Sequence, residues 1–112
     1  MSFPQADRGF PRFRMPAWVS CPALAAEPIP VGDISAGGFG ASALREPLEG
    51  VDYRVILRVG EAVLGPFQAL VAWSREGGPS GLWTFGMLVL MSDERREELA
   101  AFLDGLAEAV RA

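Results

Sequence analysis

The chain has 112 residues, half of them apolar, with a formal net charge of −4 and no histidine. Such a chain forms one soluble globular domain with its own core and needs neither disulfides nor a metal to fold. The single thiol, Cys21, rules out an internal disulfide framework, and the missing histidine argues against zinc sites and imidazole catalysis. The net negative charge disfavours nucleic acid polymers as partners.

The first residues read MSFPQADRGFPRFRM, with prolines and charges where a signal peptide has a continuous apolar run. No later stretch stays apolar for long enough to span a bilayer. We therefore expect a protein of the reducing cytoplasm that does not insert into a membrane.

Residues 1–16 contain three prolines and three of the ten arginines. A segment with this proline content cannot form a helix or join a central sheet, so we expect a flexible, extended N-terminal arm. The arginines of the arm are Arg8, Arg12 and Arg14, and Asp7 is their only acidic neighbour. The arm is a basic spot on an acidic chain.

Five stretches have the composition of short β-strands: residues 17–24, 27–35, 51–59, 67–74 and 82–91. The clearest alternation is in 51–59, where apolar and polar side chains point to opposite faces. In 67–74 the same alternation places Trp73 on the face of Phe67 and Val71. The stretch REGGPSG is typical of a turn.

The period changes to that of a helix at about residues 92–111. Ser92 is a suitable N-cap, and acidic residues follow it in the first turn. Apolar residues recur at helical spacing and form one stripe: Leu99, Phe102, Leu103, Leu106 and Val110. The charged face, DERREE, is expected to be solvated.

Five or six short strands followed by one helix predict an all-β domain with one helix. We expect a small antiparallel β-barrel of about six strands over residues 17–112, because closure removes exposed strand edges. The C-terminal α-helix would pack against the barrel or over one end.

The stretch VGDISAGGFG, residues 31–40, allows two interpretations. In a structural one, Asp33 and Ser35 bond nearby backbone amides and the glycines supply positive φ in a strand connection. In a functional one, the Asp33 carboxylate accepts from the paired N–H donors of guanine and Gly38 lets a flat ligand approach the backbone. This stretch alone favours the first interpretation.

The spacing of Arg8 and Arg12 is R-x-x-x-R. Two guanidinium groups can each take phosphate oxygens in pairs, and the same planar group can bond O6 and N7 of guanine. Taken by itself, this short pattern is more often a disordered basic tail. Other chemistry is not indicated: GGFG lacks the GK[ST] ending of a phosphate loop, and no histidine or lysine supplies a base. We expect a non-catalytic binding module without a metal or cofactor.

Together, R-x-x-x-R in the arm and D-x-S-x-x-G before the next strand, in a small barrel with a C-terminal helix, resemble the PilZ domain family of bacterial cyclic di-GMP receptors. The resemblance covers almost the whole chain and includes LVAWSR, where PilZ domains often have a strand with valine and tryptophan. It implies that cyclic di-GMP is bound by Arg8 and Arg12 and by the second motif, whose matching residues are Asp33, Ser35, Gly37 and Gly38. Secondary contacts would come from Arg14, Trp73 and Arg75.

The resemblance implies a receptor that passes a second-messenger signal to a separate protein effector, and we expect ligand binding to order the N-terminal arm. Many PilZ domains have another arginine directly before the pair, where this chain has Asp7. The alternative is a PilZ-like interaction adaptor, as in type IV pilus assembly, that does not bind cyclic di-GMP.

Overall fold

The computed structural model describes residues 10–77 and 80–111. Arg8, the first member of the predicted arginine pair, and the rest of residues 1–9 lie outside the described residues.

Six antiparallel strands close into a barrel in the order β1-β2-β3-β6-β5-β4, and one helix follows them. The elements are β1 (Ala17–Ser20), β2 (Ile29–Ile34), β3 (Gly38–Ala43), β4 (Asp52–Val59), β5 (Ala62–Glu76), β6 (Trp83–Leu90) and α1 (Asp93–Arg111). The predicted barrel with a C-terminal helix is confirmed. The sixth strand, β3, was not among the predicted stretches because its sequence, GFGASA, has no β-branched residue.

The core fills the barrel with alternate residues from every strand. In β4 the alternation has no exception, since exposed and buried residues follow one another from Asp52 to Val59. The side chains at the centre of the core are almost fully buried, among them Phe39, Leu57, Phe85 and Met87. This inward alternation fixes which face of each strand is left for a ligand.

Helix α1 begins as predicted, since the Ser92 hydroxyl accepts a hydrogen bond from the Arg95 backbone N–H at 3.2 Å. Leu99 and Leu103 join the buried core. The expectation of a solvated charged face is wrong at Arg96, which is only 8% exposed. No helix in the described part of the chain is both long and apolar enough to cross a membrane.

Two irregularities interrupt the pairing of β2 with β3 and of β5 with β6. The register shifts between Val31 and Asp33 in β2, and again between Val71 and Trp73 in β5. A β-bulge inserts one extra residue and so turns the next side chain to the other face. The prediction that Trp73 shares the inner face of Val71 is therefore wrong, since Trp73 pairs with Gly86 on the outside of the barrel.

Gly38 of β3 pairs with Leu88 of β6 and lies close to the β6 backbone. A Cβ atom at Gly38 would lie 2.0 Å from the Met87 carbonyl oxygen, a backbone atom that cannot move aside. Glycine is required here by the packing of two strands.

We expect Gly38→Ala to lower the free energy of unfolding by roughly 1 to 3 kcal/mol through overpacking. The control is Gly105→Ala in α1, where an added Cβ meets nothing within 4 Å. Alanine is the better helix former, so this control should stabilise the protein by roughly 0.5 to 1 kcal/mol. Urea unfolding measures both, and a Gly38→Ala variant as stable as the parent would contradict the close approach of β3 to β6.

Candidate functional site

A groove of about 740 Å³ runs over the outer surface of β2, β3, β6 and β5. This volume falls within the range of small-molecule sites in proteins. The lining includes Arg14 from the arm, Asp33 from β2, Gly40 and Ser42 from β3, and Trp73 from β5.

A row of cross-strand partners forms the middle of the groove. Asp33 pairs with Gly40, Gly40 with Gly86, and Gly86 with Trp73. Two glycines thus separate a carboxylate from an indole ring, and the sheet between them carries no side chains. A planar ligand could lie flat on this part of the sheet.

The carboxylate of Asp33 leans over Gly40. A Cβ atom at Gly40 would lie 2.8 Å from the Asp33 Oδ1 atom. The absence of a side chain at Gly40 therefore determines where the Asp33 carboxylate can rest.

Arg12 forms a bidentate ion pair with Asp33. Its Nε donates to Oδ2 and its Nη2 to Oδ1, both at 3.1 Å, and the two side chains are 32% and 38% exposed. The arm is held beside β2 at this point, because Phe13 and Ile34 exchange two backbone hydrogen bonds of 2.8 and 3.0 Å. The second arginine of the predicted pair is thereby brought to the predicted aspartate.

Trp73 and Arg75 form the opposite wall. The Arg75 guanidinium carbon lies 5.4 Å from the centroid of the Trp73 ring, a cation–π distance. Thr84 is the cross-strand partner of Arg75, and its hydroxyl lies 3.5 Å from that of Ser42 across β3 and β6. The aromatic face, the cation and the hydroxyls all lie on the outside of the barrel.

The remaining residues of the second motif lie inside the turn between β2 and β3. Ser35 is 2% exposed, and its hydroxyl accepts from the Gly37 backbone N–H at 3.1 Å. Gly37 and Gly38 are also buried. The predicted positive φ is wrong for these glycines, because positive φ among the described glycines is at Gly50, Gly60, Gly65 and Gly81.

Sequence reasoning missed Gly40, Gly86 and Thr84 at this site. A signal was available, since GFG and FGM each place a glycine inside an apolar strand, where glycine often marks a close approach of another group. The pairing of β3 with β6, which brings the two glycines together, could not be read from either stretch alone.

The groove is locally basic on an acidic chain, since Arg14 lines it, Arg12 pairs with Asp33 on one side and Arg75 lies over Trp73 on the other. The described residues contain no group of three or more histidine, cysteine, aspartate or glutamate side chains that could hold a metal ion. Burial raises the pKa of the Cys21 thiol, which disfavours the reactive thiolate. The chemistry available in the groove is that of binding an anionic, planar ligand.

We expect Gly40→Ala to displace the Asp33 carboxylate and break its pairing with Arg12. The matched control is Gly32→Ala in the same groove, where an added Cβ meets only the Gly40 carbonyl oxygen at 3.7 Å. Nuclear magnetic resonance of the Arg12 Nε–H group measures the pairing directly. Stability should change by less than about 1 kcal/mol, because the ion pair is exposed. An unchanged Arg12 signal in Gly40→Ala would contradict the described geometry.

No protein-family model and no curated protein sequence matches the chain. Several solved structures are similar to the chain. YcgR from Escherichia coli in complex with c-di-GMP superposes with a TM-score of 0.70 at 20% identity, over 93% of this chain and 47% of that one. The K. pneumonia MrkH–c-di-GMP complex gives 0.64 at 18% identity, over 93% and 54%.

The chain thus spans about half the length of these two proteins. The PilZ domain of E. coli YcgR with c-di-GMP gives a TM-score of 0.61 at 17% identity, over 93% of this chain and 94% of that domain. At this level of identity the likeness establishes the fold. The chain has the fold of a PilZ domain.

Proposed function

We propose that this chain, a single unit with the PilZ fold, is a non-catalytic receptor for cyclic di-GMP in the bacterial cytoplasm. The observation that carries the proposal is the glycine-floored groove with the Arg12–Asp33 pair on one side and Trp73 on the other. The c-di-GMP bound in each of the three similar structures supports the choice of ligand.

Asp33 is suited to guanine because it can serve two donors at once. An ionised carboxylate has about four lone-pair positions, and Arg12 occupies one on each oxygen. The remaining positions can accept the two N–H groups on the Watson–Crick edge of guanine. The ion pair with Arg12 can therefore be kept in the complex, where it orients the carboxylate.

The phosphates require cations, which the arm supplies. Arg12 and Arg14 are two residues apart in an extended segment, so both can face the groove while Phe13 pairs with β2. The planar guanidinium fork matches phosphate oxygens in pairs. Arg8 would add a third cation, four positions before Arg12.

Trp73 offers a face on which a guanine base can stack, with Arg75 supporting the ring. Stacking of a base on an aromatic side chain contributes about 1 to 3 kcal/mol in nucleic acid complexes. The roles of Ser35, Gly37 and Gly38 are indirect, because these buried residues shape the turn that follows Asp33.

We expect Arg12→Ala to weaken cyclic di-GMP binding by roughly 2 to 4 kcal/mol, because the variant leaves both a phosphate and the Asp33 carboxylate without their cation. The matched control is Arg14→Ala, which removes the same charge from the same segment but breaks no ion pair with Asp33 and should lose much less. Calorimetric titration measures both. Equal losses would mean that the arm acts only as a diffuse positive charge.

The same titration separates the receptor from the interaction adaptor. Micromolar or tighter binding by the natural chain supports the receptor, and no heat at high ligand concentration supports an adaptor that binds a protein instead. An unfolded Asp33→Ala variant would assign that residue a structural role, whereas a folded variant that has lost guanine-dependent binding supports the proposal.

Signalling to an effector protein would use the arm. The backbone bonds of Phe13 with Ile34 hold the end of the arm beside β2, so we expect ordering by the ligand to apply to the residues before Arg12. We expect amides of residues 3–10 to exchange hydrogen rapidly without ligand and slowly with it. The Phe13 and Ile34 amides serve as internal controls that are protected in both states. Protection of residues 3–10 in the free protein would contradict the switch.

A further inference from the structure

In the turn between β2 and β3, every backbone carbonyl of residues 35–38 accepts a hydrogen bond. Ser35 and Gly38 exchange backbone bonds with N···O distances of 2.8 and 3.3 Å. The Gly37 carbonyl accepts from the Val89 N–H of β6 at 3.1 Å. Three of the four carbonyls are thus satisfied by backbone donors.

The fourth carbonyl, that of Ala36, accepts from a side chain of the helix. Arg96 Nη1 donates to it at 3.0 Å, while Nη2 lies 3.2 Å from the Val89 carbonyl and 3.4 Å from that of Met91. One guanidinium group thereby joins the turn, the end of β6 and the connection to α1.

Arg96 is buried, and within the described residues its guanidinium bonds these carbonyls and no carboxylate. A buried charge is tolerated only where hydrogen bonds replace its hydration. Loss of the turn as a partner would therefore leave both the guanidinium and the Ala36 carbonyl with unmet hydrogen-bonding groups. The arginine and the turn hold each other in place.

We propose that Arg96 is a positioning residue for the ligand site. By fixing the turn from inside the barrel, it sets the position of Asp33 above Gly40, because Asp33 lies two residues before the first residue of the turn, Ser35. The effect on the ligand rests on the proposed function, but the effect on the turn does not. Arg96 touches no part of the groove, since its contacts lie beneath the turn and beside β6.

The arrangement also couples the ligand to the helix. Arg96 lies in the first turn of α1, where its backbone N–H bonds the Ser92 carbonyl at 3.0 Å. A ligand that stabilises the turn must also stabilise the start of α1. By linkage, loosening the start of α1 must lower the affinity for the ligand by the same factor. Ligand binding on the outside of the barrel thereby changes the stability of the start of α1.

Arg96→Met tests the proposal, with Arg95→Met and Val19→Ala as controls. Arg95→Met removes no contact with the turn, because the Arg95 guanidinium instead lies over the Phe67 ring at 5.4 Å. Val19 of β1 is buried in the core and lies outside α1, so Val19→Ala lowers the melting temperature without removing a bond to the turn or loosening the helix. Two quantities are measured: amide hydrogen exchange at Ser35 and Gly38 relative to the β4 amides in ligand-free protein, and cyclic di-GMP affinity by calorimetry.

We expect Arg96→Met to speed exchange in the turn and to weaken cyclic di-GMP binding, each by about tenfold or more, the value of a lost charged hydrogen bond. Both controls should leave the relative exchange and the affinity within about twofold. If Arg96→Met does not fold, Arg96→Lys replaces it: the charge remains, the fork is lost, and the same two changes are expected at smaller size.

Unchanged exchange and affinity in a folded Arg96 variant would overturn the proposal, as would an equal loss of affinity in Val19→Ala. If the natural chain binds no cyclic di-GMP, the proposed function fails. The exchange at Ser35 and Gly38 then decides the positioning role alone, because it is measured without ligand.

Discussion

The site depends on two β-bulges. A closed barrel requires alternate residues of each strand to point inward, and unbroken alternation would send Asp33 inward with Val31 and Trp73 inward with Val71. The register shifts in β2 and β5 turn both side chains to the outer face. A carboxylate and an indole ring, both unsuited to the centre of this small core, become the two walls of one groove.

Between these walls, the glycines of β3 serve different purposes. Gly38 is small because the β6 backbone leaves no room for a Cβ, and Gly40 is small because the Asp33 carboxylate lies over it. One glycine therefore closes the barrel and the other shapes the groove. The arm adds the cation that pairs with Asp33, and the Phe13 bridge places Arg12 beside the carboxylate.

This arrangement explains why an acidic chain can present a site for an anion. The net charge of −4 is spread over the whole molecule, while the groove combines three arginines with the carboxylate of Asp33. Charges that face one groove act at short range, where screening by salt is weakest. Local clustering outweighs the net charge.

Much of the architecture could be predicted from sequence because it rests on local patterns. The alternation of β4 and the Ser92 cap with its apolar stripe each lie within one element, and of the motif residues the structure places Asp33 in the lining of the groove. The errors concern features that two elements decide jointly. The orientation of Trp73 depends on a bulge in the pairing of β5 with β6. The burial of Arg96 depends on where the helix meets the β2–β3 turn. The formation of β3 depends on neighbouring strands that compensate for its weak strand propensity.

The measurement that tests the central claim most directly is the response of the Trp73 indole N–H signal and of the arginine Nε–H signals to cyclic di-GMP. Trp73 forms one wall of the groove, whereas Arg54 is exposed on the outer face of β4, the strand opposite β3 in the closed barrel. We expect the ligand to shift the signals of the Trp73 indole and of the Arg12 Nε–H group and to leave the Arg54 Nε–H signal in place. A saturable shift at Arg54 with none at Trp73 or Arg12 would contradict the account.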